Sequence, residues 1–255
     1  MKHSQTFAIT PREARPTVFS ALLILMIAVA IYFSVSPPRV RSTGMPSVVV
    51  NKYFNGGGAS GAGDIVELLV IQDGLDMRNM IIKDFSSNMG SDGGGKCQFT
   101  TNALWSSVRS GTLIVLRNDN SAADTTVGGA DYNLDLGLQN TTYFTNGGGT
   151  FDIATTEMVM IKTAGSGTAG VTGSIHVLAG GTAGAQFTAT NPPKLIASAT
   201  SGANFFAYAN NTTESINDFD GTDATGGATG LTFGVGNNAH NIEYINSLRD
   251  RGFSY

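Results

Sequence analysis

The residues best suited to chemistry lie near the carboxyl end, in the stretch Asn217–Asp223 (NDFDGTD). Its carboxylates, Asp218, Asp220 and Asp223, alternate around a glycine, and such a loop can supply several of the roughly six to eight oxygens that Ca²⁺ takes. The complete EF-hand spacing is absent, because no glutamate occupies the twelfth position of any register. Asp and Gly are also ordinary turn residues. The stretch therefore has two interpretations, a calcium-binding loop and a plain turn.

Nucleophilic catalysis and zinc binding find little support in the sequence. No G-x-S-x-G motif occurs, and neither His176 nor His240 lies in a recognisable nucleophile motif. With these two histidines and the single Cys97, we do not expect a zinc site of the usual composition. One cysteine also excludes an intrachain disulfide, so Cys97 is expected in the core, with an intermolecular bridge as the alternative. No cofactor is predicted apart from the calcium considered above.

The stretch Gly165–Gly170 (GSGTAG) is a literal G-x-G-x-x-G. A dinucleotide site requires a helix that begins at those glycines and binds the pyrophosphate at its amino terminus. Strand-forming residues and further glycines follow instead. The motif therefore predicts a loop.

Composition favours a turn-rich β protein outside the cytoplasm. Apolar residues form 41% of the 255 residues and charged residues only 13%, whereas glycine occurs 33 times. The apolar fraction is sufficient for a real core. The net charge of -4 gives no basic face, so no nucleic-acid partner is expected.

The amino-terminal segment is the clearest membrane signal. Val18–Val35 (VFSALLILMIAVAIYFSV) carries no charge, and about 18–20 helical residues cross a hydrocarbon core. We assign 1–17 to a cytoplasmic n-region, 18–36 to a transmembrane signal anchor and 37–46 to a linker. A cleaved signal peptide is the alternative, although Pro37 disfavours cleavage at the small residues before it. Both interpretations export the remainder, as a single-pass membrane protein or as a secreted one.

Apolar runs of strand length recur through the exported part. An Asp73-Gly74 pair between two of them predicts a hairpin, since both turn positions need positive φ. The spacing of Ile242, Ile245 and Leu248 predicts a closing helix within 236–249, capped by a preceding asparagine, with 250–255 as a tail. About nine strands are expected, in the ranges 48–50, 65–71, 77–84, 99–102, 111–116, 157–163, 173–178, 194–199 and 204–208.

The first of these strands resemble the opening of bacterial lamin-tail (LTD) domains. Those domains begin with a "VVINE"-like strand, a "FVEL" strand and a "D-L-S-G-W-x-L-x-D" strand, matched here by Val48–Asn51, Ile65–Leu68 and Leu75–Met80. Gly111–Leu116 resembles the family's later "G-x-x-x-V-L" strand. The resemblance implies an all-β, immunoglobulin-like sandwich over 47–249 and little about activity. Within it, Trp105 is expected to close the end of the core rather than to bind sugar.

We expect a non-enzymatic, membrane-anchored extracytoplasmic module for surface display, adhesion or scaffolding, because function on such a scaffold lies in its loops. Protein or glycan partners are both possible. The first alternative is a secreted carbohydrate-binding or accessory module, which needs solvent-facing aromatic rings. The second is a hydrolase whose site is dispersed among the 19 acidic residues. The candidate rings are Tyr53, Phe54, Tyr143, Phe144, Phe205 and Phe206.

Overall fold

The computed structural model describes residues 45–85, 95–154, 157–167, 170–180, 194–197, 203–227 and 231–252. Contacts divide the chain into two units, Met1–Thr43 and Gly44–Tyr255, and all described residues belong to the second. The predicted membrane segment Val18–Val35 and most of the predicted linker lie outside the described residues. Among those described, no helix is long and apolar enough to cross a membrane.

The described part of the chain is all-β, with one short α-helix at its carboxyl end, as expected. The helix, α1, spans Ala239–Gly252 and so includes part of the stretch expected as a tail. Thirteen strands precede it in the described ranges. They are β1 (Val48–Asn55), β2 (Ile65–Val70), β3 (Ile81–Phe85), β4 (Lys96–Phe99), β5 (Leu113–Arg117), β6 (Ala122–Asp124), β7 (Asn133–Gly137), β8 (Phe144–Gly148), β9 (Met158–Lys162), β10 (Ser174–Ala179), β11 (Lys194–Ala197), β12 (Phe205–Ala209) and β13 (Gly221–Gly227).

All thirteen strands belong to one hydrogen-bonded sheet, in the order β6-β7-β5-β2-β1-β12-β13-β11-β10-β9-β3-β4-β8. Neighbours are antiparallel except for β5–β7, β10–β11 and β11–β13, which are parallel. The strands beyond the expected nine include β6, β7, β8 and β13. Two of these, FTNGG and GTDATGG, are rich in glycine and polar residues. They join the sheet through main-chain pairing that side-chain propensity does not reveal.

The predicted hairpin at Asp73-Gly74 is wrong. The turn itself is present, with Gly74 at φ 63°, but β2 lies between β1 and β5 while β3 lies between β9 and β4. After the turn, Leu75 pairs with Val108, and the Met77 N–H donates to the Trp105 carbonyl at 2.8 Å. These long-range pairings lead the chain away from β2. A local turn signal therefore does not fix which strands become neighbours.

The sheet folds back on itself, so that β1 packs against β9 and β10, which are not its neighbours in the sheet. The Val50 N–H donates to His176 Nδ1 at 3.0 Å, and the Tyr53 hydroxyl donates to the Glu157 carbonyl at 3.4 Å across this contact. Strands such as β2 and β9 are apolar and buried along nearly their whole length, as expected where both faces are covered. Each buried Val, Leu or Phe contributes about 1.5–3 kcal/mol.

Trp105 lies in the core, as predicted. It ends a single 3₁₀ turn, Ala103–Trp105, and its ring is fully buried edge-on against Phe99, with centroids 4.8 Å apart. The ring centroid of Phe144 is 5.6 Å away, and the indole N–H donates to the Tyr143 carbonyl at 3.0 Å. The tryptophan thus satisfies its only polar atom inside the protein.

Helix α1 begins at an asparagine cap, as predicted. Asn238 Oδ1 accepts the Asn241 N–H at 2.8 Å, which satisfies one amide of the first turn. Ile245 and Leu248 are buried and belong to the same apolar core as the strands. Ile242, expected on the same apolar face, is instead 44% exposed.

A buried ion pair between β1 and β2 also hydrogen-bonds to the segment that precedes α1. A β-bulge shifts the register of β1 against β2 just before Lys52, which lies opposite Glu67. Lys52 Nζ is 3.2 Å from Glu67 Oε1, with both side chains at 0% exposure. The ammonium also donates to the carbonyls of Thr232 at 2.9 Å and Val235 at 2.7 Å. Burial lowers the pKa of Lys52 and raises the pKa of Glu67, and their contact opposes both shifts.

Four asparagine side chains extend this network to the helix. Asn51 Nδ2 donates to Glu67 Oε1 at 2.8 Å, and Asn51 Oδ1 accepts from Asn237 at 3.2 Å and Asn241 at 3.1 Å. Asn241 Nδ2 also donates to Asn211 Oδ1 at 3.0 Å. The first turn of α1, the loop after β12 and the middle of β1 are therefore held together by buried hydrogen bonds.

Candidate functional site

The three aspartates proposed for calcium occupy different environments. Asp218 is buried, and its carboxylate accepts from the N–H of Thr213 at 2.8 Å and from its hydroxyl at 3.0 Å. Asp220 is exposed and accepts the Lys194 N–H at 3.2 Å, whereas Asp223 lies within β13. The calcium prediction stays a prediction. Asp218 at least has the local hydrogen bonding of a turn residue.

Neither histidine beyond the apolar segment belongs to a nucleophile arrangement in the described residues. His176 is fully buried, and it accepts the Val50 N–H at Nδ1, so its other ring nitrogen is the donor to the Phe219 carbonyl at 2.8 Å. Burial lowers the pKa of His176 to about 4. His240 lies exposed at the start of α1, with Nδ1 2.6 Å from Glu214 Oε1.

Cys97 and the glycine-rich stretch Gly165–Gly170 both have structural roles. Cys97 is buried in β4, as predicted, and burial raises the pKa of its thiol to about 12. The glycines at 165, 167 and 170 all have positive φ, and they belong to the loop between β9 and β10. The expectation of a loop rather than a nucleotide-binding turn is confirmed for the described part of that stretch.

The aromatic side chains considered for sugar binding do not form a solvent-facing platform. Tyr53, Phe144, Phe205 and Phe206 are all buried. Phe54 and Tyr143 are half-buried. Phe54 packs on Phe206, with ring centroids 4.5 Å apart and planes tilted by 39°, and Tyr143 lies edge-on to the buried Trp105, with ring centroids 6.3 Å apart. A glycan ligand would therefore need a different surface.

A cavity of about 290 Å³ opens beside β8, the edge strand next to β4. Its floor consists of four buried side chains. Its rim comes from the end of β5, the turn after β7, β8 and the loop that follows β8, and it carries amide and hydroxyl groups. The floor residues are Cys97, Leu138, Phe144 and Phe151. The rim residues are Asn118, Gln139, Thr141, Asn146, Gly149 and Thr150.

Hydrogen bonds fix one wall of this cavity. Asn118 Nδ2 donates to the carbonyls of Phe151 at 2.6 Å and Ser60 at 2.9 Å, and Gln139 Nε2 donates to Asn118 Oδ1 at 3.3 Å. Gly95 permits the close approach of the loop, because a Cβ there would lie 2.1 Å from the Phe151 nitrogen. These contacts lie within the protein, so the fold itself sets the shape of this wall.

Buried acids lie behind the cavity floor. Asp84 accepts the Asp152 N–H at 2.6 Å and Asp64 accepts the Ile153 N–H at 2.6 Å, so two carboxylates hold the loop after Phe151. Burial raises the pKa of Asp84 to about 7 and that of Glu157 to about 9. One oxygen of each of these two carboxyl groups has no hydrogen-bond partner. Both carboxyl groups therefore hold their protons to higher pH than exposed carboxyl groups do.

Neither the cavity nor the buried acids could be located from sequence. The lining residues come from positions 97 to 151, and they meet only because the two ends of the sheet, β5 with β7 and β4 with β8, approach one another there. The one sequence feature that could have indicated the cavity is the cluster of Asn, Gln and Thr around Gln139–Thr142. From the sequence, however, this segment is assigned only to an irregular region. Comparison of the chain with protein-family models, with curated proteins and with solved structures returns no match.

Proposed function

We propose that this chain is a membrane-anchored, extracytoplasmic and non-enzymatic β-sandwich module that recognises an uncharged polar partner through the cavity beside β8. The observation that carries the proposal is the cavity itself. Its rim is rich in amide and hydroxyl groups, and no lining residue is an acid or a base apart from Cys97. Burial raises the pKa of that thiol, so it is not a nucleophile at neutral pH.

Such a lining fits hydroxyl-rich or amide-bearing ligands. Amide groups both donate and accept, and hydrogen bonds to a neutral ligand give orientation without the cost of burying charge. A cavity of about 290 Å³ accommodates one ring-sized group. We therefore favour adhesion or display through short segments of glycan or of main chain. The secreted carbohydrate-binding alternative would recognise its ligand through the same cavity. It differs only in that Val18–Val35 is removed as a signal peptide instead of being kept as an anchor.

One backbone position is compatible with the lamin-tail resemblance. Asn79 occupies the place of the glycine in the "D-L-S-G-W" motif and has φ 62°, a conformation that Gly and Asn adopt most readily. Asp76, at the motif's first position, accepts the Arg78 N–H at 3.0 Å within the same turn. The packing of β1 across β9 and β10 is compatible with the sandwich that the family implies.

The anchor is tested by fractionation of cells that express the full-length chain, with protease added outside. We expect a full-length species that resists carbonate extraction and is cleaved only from outside. A soluble product that begins near Pro37 would replace the anchor with a cleaved signal. A full-length soluble cytoplasmic product would overturn the proposal of export.

Recognition is tested by a glycan and peptide array probed with the full-length chain in detergent. The variant Gln139→Ala/Asn146→Ala removes two rim amides, and Asn217→Ala is the matched control because Asn217 is an exposed asparagine outside the cavity. We expect a signal that the double variant loses and the control keeps. A signal of equal strength in all three proteins, or none in any, would contradict recognition by this cavity.

A further inference from the structure

A second polar cluster lies at the amino end of α1, away from the cavity. His240 and Glu243 are three residues apart in the helix and therefore share one face. Glu214, from the loop after β12, lies beside them. His240 Nδ1 is 2.6 Å from Glu214 Oε1 and 3.9 Å from Glu243 Oε2. One ligand atom from each of the three residues lies within 4.8 Å of the others, and all three side chains are exposed.

The two elements that carry these side chains are fixed to each other. Asn238 Nδ2, at the helix cap, donates to the Asn211 carbonyl at 3.0 Å and to Asn210 Oδ1 at 3.2 Å. Asn241 Nδ2 donates to Asn211 Oδ1 at 3.0 Å inside the protein. The spacing between the loop and the helix is therefore set by the fold rather than by the contact of His240 with its carboxylates.

Within the cluster, two carboxyl groups stand against one imidazole. A single imidazole can neutralise at most one of the two carboxylates. Two carboxylates and a neutral imidazole together match the charge of a divalent cation.

We propose that Glu214, His240 and Glu243 form a binding site for a divalent transition-metal ion, with zinc as the best fit. Zinc binds imidazole nitrogen and carboxylate oxygen at about 2.0–2.2 Å, which places tetrahedral ligand atoms about 3.3 Å apart. His240 Nδ1 is 2.6 Å from Glu214 Oε1 and 3.9 Å from Glu243 Oε2, one distance below that spacing and one above it. Small rotations of the side chains alone therefore bring the three ligand atoms to the spacing that zinc requires. Ca²⁺ and Mg²⁺ fit less well because they prefer oxygen ligands only.

With three protein ligands, the fourth position of the ion faces solvent. A zinc ion in this geometry can take water or a side chain from another molecule. The site therefore offers a metal-dependent contact on a surface separate from the cavity beside β8. It does not depend on the proposed function of that cavity.

The test uses the untagged full-length chain in detergent, titrated with Zn²⁺ and, separately, with Co²⁺. We expect saturable binding of one ion and, for Co²⁺, visible absorption bands of a nitrogen- and oxygen-liganded ion. Glu243→Gln and His240→Gln should each weaken binding at least about tenfold, because even the loss of an outer hydrogen-bond partner costs about 10–100-fold. Asp250→Asn, which removes one exposed charge from the same helix, should change the affinity less than twofold.

Glu243→Gln separates a metal site from an ion pair. A purely structural contact between His240 and Glu214 would be unaffected by this change, and it would produce no cobalt spectrum. Equal zinc affinity in the wild type, Glu243→Gln and His240→Gln would overturn the proposal. Absence of saturable binding to the wild type would do the same, and far-UV circular dichroism confirms that each variant is folded.

Discussion

Replacing Lys52 with methionine tests whether the buried ion pair stabilises the domain. Methionine keeps the length and the apolar stem of the side chain but removes the contact with Glu67 at 3.2 Å and the bonds to two carbonyl groups. The Glu67 carboxylate, at 0% exposure, then keeps only its bonds to Asn51 and to the N–H of Gly234. Breaking one partner of a buried pair costs about 3–5 kcal/mol, because an uncompensated charge remains.

That cost is large beside the usual stability of a domain, about 5–15 kcal/mol. For a domain of this size, each kcal/mol lowers the melting temperature by about 2–4 °C, so Lys52→Met should lower it by about 6–20 °C. Urea and thermal unfolding, followed by circular dichroism, measure both quantities. Arg78→Met is the matched control, because it breaks a solvent-exposed pair with Asp76, and exposed pairs contribute little to stability.

The double variant Lys52→Met/Glu67→Gln completes the cycle. Glutamine carries no charge and keeps an acceptor for one of the two donors, Asn51 Nδ2 or the Gly234 N–H, so it should recover part of the lost stability. The reasoning is refuted if Lys52→Met loses less than about 1 kcal/mol. It is also refuted if the two substitutions are additive, since the loss would then come from packing and not from the unpaired carboxylate.

Three further changes test other parts of the structure. Burial raises the pKa of Asp84 to about 7 and that of Glu157 to about 9. The native state therefore keeps protons that the unfolded chain releases above about pH 4. Because the native state binds more protons, the free energy of unfolding should fall as pH rises from about 4 to 9. Glu157→Gln should therefore raise the urea midpoint at pH 9 more than at pH 5, and an equal effect at both would contradict this. Asn79→Val should cost about 1–2 kcal/mol in thermal melts, because φ 62° crowds a branched side chain, whereas Asn79→Gly should be near neutral. If the stretch Asn217–Asp223 binds calcium, millimolar calcium should raise the melting temperature and Asp220→Ala should abolish the rise; identical melts in calcium and chelator would exclude it.

The sequence is sufficient to predict those elements that rest on apolar runs. The strand around Leu113–Leu116 and the strand around Val159–Ile161 were recognisable because strands with both faces covered read as continuous hydrophobic segments. The helix was recognisable from the spacing of Ile245 and Leu248 and from its asparagine cap. Strands such as GTDATGG were not, since their place in the sheet depends on their neighbours. Local sequence also does not predict which strands pair, because β2 and β3 are consecutive in the chain but are not neighbours in the sheet.

The candidate sites depend even more on long-range structure. Lys52 and Glu67 would be assigned to solvent from their residue types alone, and nothing in the local pattern shows that both are fully buried. The numbers of histidines and cysteines did not predict a zinc site, because such a count omits the carboxylates that the fold brings close to a histidine. Glu214 precedes the stretch expected to bind calcium by only a few residues, but its partners lie in the helix. Proximity of that kind is a property of the tertiary fold.

The position of β1 in the middle of the sheet also determines the order in which the domain can be completed. Its pairing with β2 is local, but the Val50 N–H acceptor, His176, follows 126 residues later, and the Thr232 carbonyl that accepts from Lys52 follows 180 residues later. Contacts over such separations form slowly. In a chain synthesised from its amino end, one edge of the VVVNKYFN strand is therefore open to other strands until nearly the whole domain has followed. A charged residue within an apolar strand disfavours such association. Lys52 thus opposes aggregation during the interval before folding is complete and stabilises the domain once it is buried.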